Sequence, residues 1–175
     1  MRRLNTAMTG AIAAGFAVLI GCGAPQAGAP LAGADADGSA YLLAEEPDGA
    51  MGVIQAREAA HDGDPIVLVG RIGGATNPWV EGRAAFTLLD PSMLVVDESQ
   101  GMGEGQLCTG DCCATERQAC TTLVKVVDPQ GQLVAVDARK LLGLKEADMV
   151  VVSGTAKKDE LGNFQLLATG VHVRR

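Results

Sequence analysis

The sequence predicts a mainly β domain, a five-stranded barrel with a short helix between its third and fourth strands and another helix before the first. Three observations predict it. Five runs of β-branched and apolar residues are each bounded by Gly, Pro, Asp or Asn. One helical window between them carries its own cap and stop. Glycines also fall inside strands, where an absent side chain relieves crowding as a barrel bends.

Met51 to His61 has good helix formers and apolar spacing at Val53, Ile54, Ala56 and Ala60, then breaks at Asp62-Gly63-Asp64-Pro65, so it reads as a helix and a turn. Ile66 to Ile72 is the clearest strand, closed by Gly73-Gly74. Ala84 to Asp90 is the second, ended by Pro91. Thr121 to Val127 is the third, and it turns through Asp128-Pro129-Gln130-Gly131 into a shorter segment, Leu133 to Val136. Asp137 is placed to cap a helix from Ala138 to Leu142, with Gly143 as its stop. Met149 to Ala156 and Phe164 to Val173 complete the set around a polar turn at Gly162-Asn163. Gly70, Gly154 and Gly170 are the in-strand glycines that suit curvature. This is the element order of an OB-fold barrel; a split sandwich of the same strands is the alternative.

Within that frame, Val67-Leu68-Val69-Gly70-Arg71-Ile72 followed by Ala85-Phe86-Thr87-Leu88-Leu89-Asp90 resembles the first two strands of OB domains of the anticodon-binding, nucleic-acid-binding type. The wider arrangement, with Asn77-Pro78-Trp79-Val80-Glu81-Gly82-Arg83 and Cys112-Cys113, resembles uncharacterised lipid-anchored bacterial OB-domain proteins. The first resemblance implies a ligand-contacting cation at Arg71 and a base-stacking platform at Phe86; Trp79 lies in the polar connection between the first two strands, on the rim that OB-folds use for ligands, and Arg83 is a further candidate ligand residue. Two features oppose nucleic acid: only five aromatic residues in the chain, and an acidic first half. A core role for Phe86, a solvated Arg71 and a Trp79 that plugs the barrel end are the structural alternatives.

The N-terminus reads as an export signal. Met1-Arg2-Arg3 is basic, and the apolar run from Ala7 to Ile20 is too short to span a bilayer. Leu19-Ile20-Gly21-Cys22 resembles the bacterial lipobox, which implies cleavage before Cys22 and a diacylglycerol on its thiol; a plain cleaved signal is the alternative. Multiple acyl chains suffice for stable anchoring without a transmembrane segment. The expected location is the cell envelope, on the periplasmic or outer face. Gly23, in place of the aspartate that resembles an inner-membrane retention signal, favours the outer membrane. Residues 23–48, rich in Ala, Gly, Pro and Asp, read as a flexible tether in which only Tyr41-Leu42-Leu43 stands out. Residues 49–175 then form a single domain.

Without Arg2 and Arg3 the charge is 12 Lys and Arg against 21 Asp and Glu, or −9. Residues 23–120 carry 4 basic and 15 acidic side chains, whereas 121–175 carry 8 and 6. An acidic front half repels polyanions, so electropositive surface has to come from the C-terminal part.

A long insertion, 91–120, ends in the cluster Cys108, Cys112, Cys113 and Cys120. Four cysteines in an oxidising compartment suggest two disulfides, 108–112 with 113–120 or 108–113 with 112–120. Zinc or copper held by the same four thiolates, and a thiol redox role, are the alternatives. His61 and His172 each stand alone, and Gly101 to Gly105 does not join a strand to a helix as a phosphate loop would. No nucleophile with a base and no framed carboxylate pair suggests an enzyme, and no cofactor is implied. The sequence therefore points first to a non-catalytic envelope binding module for a small molecule, glycan or protein. Single-strand nucleic-acid binding and a metal or redox protein are the alternatives.

Overall fold

The computed structural model describes residues 37–96, 106–108, 110 and 113–175, the side chains of 95, 107 and 108 excepted. The export signal, Cys22, the first part of the tether, the Gly101 to Gly105 loop and Cys112 lie outside the described residues. The elements are α1 (Val53–Ala59), β1 (Pro65–Ile72), β2 (Ala85–Leu89), β3 (Leu94–Val96), β4 (Gln106–Cys108), α2 (Ala114–Cys120), β5 (Thr121–Val126), α3 (Ala138–Leu142), β6 (Met149–Lys158) and β7 (Phe164–Arg174). Among the described residues no helix is long and apolar enough to cross a membrane.

Five strands close a barrel in the order β1-β2-β5-β7-β6. Every pairing is antiparallel except β5 with β7. A mainly β, OB-like barrel with a helix between its third and fourth strands is therefore what forms, rather than an open sandwich. The period-2 geometry of strands turns alternate residues inward. Leu68 and Ile72, Phe86 and Leu88, Val124 and Val126, Val150 and Val152, and Leu166 and Ala168 make one continuous core.

Glycine is required where the wall closes on itself. A Cβ at Gly70 would lie 2.6 Å from Leu88 Cγ and 2.6 Å from the Leu89 carbonyl oxygen. Gly154 sits at the register shift between β6 and β7, where a side chain would run into the Leu167 backbone. Gly170 lies under the Leu43 side chain.

The predicted caps form. Asp137 accepts from the Arg139 N–H to start α3, and Gly143, left-handed at φ 66°, ends it. α1 has no side-chain cap from its own Gly52; instead the Asp90 carboxylate, arriving from the end of β2, accepts from the Ile54 N–H at 2.9 Å. Burial of Val53, Ala56 and Ala60 then holds α1 on the core.

One expectation changes. The segment expected to be tether is bound to the barrel from Asp37 onward. A 3₁₀ turn at Gly38–Tyr41 packs on α3 so closely that a side chain at Gly38 would meet the Leu141 carbonyl. Leu42 bridges Val171, the Leu43 N–H donates to the Val171 carbonyl at 2.9 Å, and Arg174 holds Glu46 through two N–H groups. The insertion, in turn, has structure of its own: β3 pairs in parallel with β4, and α2 returns the chain to β5.

Candidate functional site

β1 ends in Gly70, Arg71 and Ile72. Because Ile72 and Leu68 point inward, Arg71 projects onto the outer wall, where it pairs with Leu89 on one side and Met149 on the other. One guanidinium nitrogen, Nη1, donates to the Ala147 carbonyl at 3.3 Å. The Nε is buried and has no hydrogen-bond partner among the described residues. A buried donor without an acceptor costs about 1–3 kcal/mol.

Ala147 is itself unusual, the one non-glycine among the described residues with positive φ, at 68°. Its N–H donates to the Ile72 carbonyl at 2.9 Å, and the Ile72 N–H donates to the Asp148 carbonyl at 2.9 Å. These bonds hold a conformation that costs an L-residue about 1–2 kcal/mol, and they aim the Ala147 carbonyl at Arg71. A groove of about 350 Å³ is lined by Arg71 with Leu89, Leu94 and Val96, by the chain from Ile72 to Thr76, and by Ala147 and the exposed Glu146. Leu94 is 49% exposed although it belongs to a strand. A largely apolar groove lined by one cation and one carboxylate suits a small amphipathic molecule, and its volume falls at the lower end of ligand pockets.

The four predicted ligand residues do not converge here. Only Arg71 lines this groove. Phe86 is completely buried in the core, so the expected stacking platform is absent: its strand position turns the ring inward between Ala85 and Thr87. Trp79 is half-buried and plugs the barrel, bridging Phe86 in a tilted ring contact at 6.2 Å. The Arg139 guanidinium lies over the Trp79 ring, 5.5 Å from its centroid. Arg139 in turn donates through Nε and Nη2 to Asp137, and this pairing, against burial, holds the Asp137 carboxyl at about 2. Arg83 acts through its backbone, with N–H to the Val80 carbonyl and its own carbonyl to the Ala138 N–H, both at 3.1 Å.

The cysteine expectations change in part. Cys113 and Cys120 flank α2, seven residues apart. Helical rise separates their Cα atoms by about 10 Å, beyond the roughly 7 Å that a disulfide tolerates, so a 113–120 bond does not fit α2. Cys120 is a buried thiol that donates to the Glu116 carbonyl at 3.1 Å, and burial pushes its pKa up. Among the described residues no group of three or more His, Cys, Asp or Glu side chains is placed to hold a metal ion; Cys112 and the Cys108 side chain lie outside them. His61 is exposed beside Asp64, and His172 Nδ1–H donates to the Leu43 carbonyl at 3.1 Å.

Sequence reasoning missed Leu89, Leu94, Val96 and Ala147 as groove residues. The apolar run Leu94-Val95-Val96 is a signal for a strand inside the insertion. Nothing in Glu146-Ala147-Asp148 announces a left-handed alanine. No protein-family model matches the chain, and no curated protein is similar to it.

Proposed function

We propose that this protein is a non-catalytic binding module of the bacterial cell envelope, held to the membrane through lipid on Cys22, and that the groove beside Arg71 takes a small amphipathic ligand with an acceptor group. The observation that carries this reading is Arg71 in the lining of an apolar groove, its guanidinium held from one side by the Ala147 carbonyl. A carboxylate or sulfonate on the ligand meets the guanidinium, and its apolar body covers Leu89 and Leu94. The strained Ala147 carbonyl orients the cation before the ligand arrives, which lowers the ordering cost of binding.

The test is a fluorescence titration of the mature chain with anilinonaphthalene sulfonate, an apolar dye carrying one anionic group. Saturable binding that falls about tenfold or more in both Arg71→Gln and Leu94→Asp, with unchanged circular dichroism, supports the groove. Equal binding by both variants removes it.

A further inference from the structure

We propose that the groove beside Arg71 selects a zwitterion, the ammonium and carboxylate of an apolar amino acid or dipeptide, over a simple organic anion. This rests on the reading of that groove as a ligand site. Among the described residues that line it, two carry charge, Arg71 and Glu146, while Ile72, Leu89, Leu94 and Val96 are apolar and the others are small and neutral. The two charges share one groove, yet they are not paired with each other. The ion pairs among the described residues are His61 with Asp64, Asp137 with Arg139, Asp62 with Lys157 and Glu46 with Arg174. Arg71 donates instead to the Ala147 carbonyl, and Glu146 is exposed. The charged neighbours are occupied elsewhere: Lys145 and Asp148 line the adjoining cavity, and Asp90 is committed to Ile54 and Ser92.

A groove bordered by one charge of each sign is neutral, and that decides the ligand. A simple anion brought to Arg71 enters the field of the Glu146 carboxylate and leaves it unmatched, whereas a zwitterion gives each charge an opposite partner. The ligand carboxylate meets the guanidinium, the ammonium meets Glu146, and the apolar side chain covers Leu89 and Leu94. Both charges stand on backbone that the barrel holds. Arg71 lies in β1, in register with Leu89 on β2 and Met149 on β6. Glu146 precedes Ala147, whose N–H donates to the Ile72 carbonyl at 2.9 Å, and the Ile72 N–H donates to the Asp148 carbonyl at 2.9 Å. The turn that carries Glu146 is thus bonded to the residue next to Arg71, so the fold sets the spacing of the two side-chain roots before a ligand arrives.

The experiment uses the mature chain with Cys22→Ser, which carries no acyl group, and isothermal titration with leucine and leucyl-leucine, each also with its amine acetylated or its carboxylate amidated. At least one of the two zwitterions is expected to bind saturably, and about tenfold or more tightly than both of its capped forms. Whichever binds more tightly assigns the source, free amino acid or peptide. Glu146→Gln should weaken that zwitterion about tenfold while strengthening anilinonaphthalene sulfonate, because one change removes the partner of the ammonium and the like-charged neighbour of the sulfonate. A structural role alone would move both ligands in the same direction. Acetylated forms that bind as tightly as the zwitterions, or a Glu146→Gln variant that weakens dye and zwitterion alike, overturns the proposal. So does dye binding that needs Arg71 without any binding of leucine or leucyl-leucine, a result that leaves the reading of the groove intact. If Arg71→Gln alters neither the dye nor the zwitterions, the groove is not a ligand site and both readings fall.

Discussion

The Asp90 carboxylate caps a helix that begins 37 residues earlier: its Oδ2 accepts from the Ile54 N–H at 2.9 Å, while Oδ1 takes the Ser92 hydroxyl at 2.6 Å and the Ser92 N–H at 3.0 Å. One buried side chain thus fixes the end of β2, the start of the insertion and the start of α1. Burial alone would push its pKa up, but these bonds outweigh it and hold the carboxyl below its ordinary value.

Asp90→Ala is expected to destabilise the fold by about 1–3 kcal/mol, because it leaves the α1 N-terminus uncapped. The folded pKa is depressed, so the contribution is full above the unfolded pKa and is lost as pH falls through the folded one. Urea denaturation of parent and variant from neutral to acid pH should show their difference shrinking in acid. A constant difference would mean that Asp90 acts through packing instead.

Asp137 offers a stronger version of the same linkage. Its carboxyl sits at about 2 in the fold against 3.8 as the reference, chiefly because Arg139 bonds to it. Its contribution, on the order of 2 kcal/mol, is present above about pH 5 and is lost progressively as pH falls towards the folded value. Arg139→Gln should remove most of it. Because Trp79 is the one tryptophan in the chain, the same variant should also shift the fluorescence of an indole that has lost its covering cation.

Gly70→Ala should destabilise by about 1–3 kcal/mol by overpacking the wall against Leu88 and Leu89. Gly49→Ala makes a useful contrast, since nothing lies near its Cβ and the change acts only through a left-handed backbone at φ 76°. Thermal melts of the two distinguish crowding from backbone strain.

Non-reducing peptide mapping should find no Cys113–Cys120 cross-link. Cys120 should resist alkylation by iodoacetamide in the native state and react once urea unfolds the chain, because it is buried and its pKa is raised. A native cross-link between these two residues would contradict α2 as described.

Much of the fold was legible because local chemistry and tertiary packing agree. Asp137 and Gly143 read as cap and stop and serve as both, and the β-branched runs lie within a residue or two of the strands they became. The binding of residues 37–46 was not legible, since their partners, Val171, His172 and Arg174, are far away in sequence and Tyr41-Leu42-Leu43 is too short for a periodicity. Arg71 was found through a resemblance, but its groove was not. Two walls belong to the insertion, and the residue that aims the guanidinium is an alanine whose importance lies in its backbone. Phe86 shows the converse: a residue type suited to stacking is placed by strand alternation where no ligand reaches it.

The most direct measurement is the nitrogen–proton correlation signal of the Arg71 Nε–H, assigned with Arg71→Lys and followed during titration with anilinonaphthalene sulfonate. This signal should shift saturably as the Arg71 guanidinium meets the sulfonate, while the Arg139 Nε–H, already bonded to Asp137, stays in place. An Arg71 signal that does not move when the dye binds would contradict the account and place the ligand elsewhere.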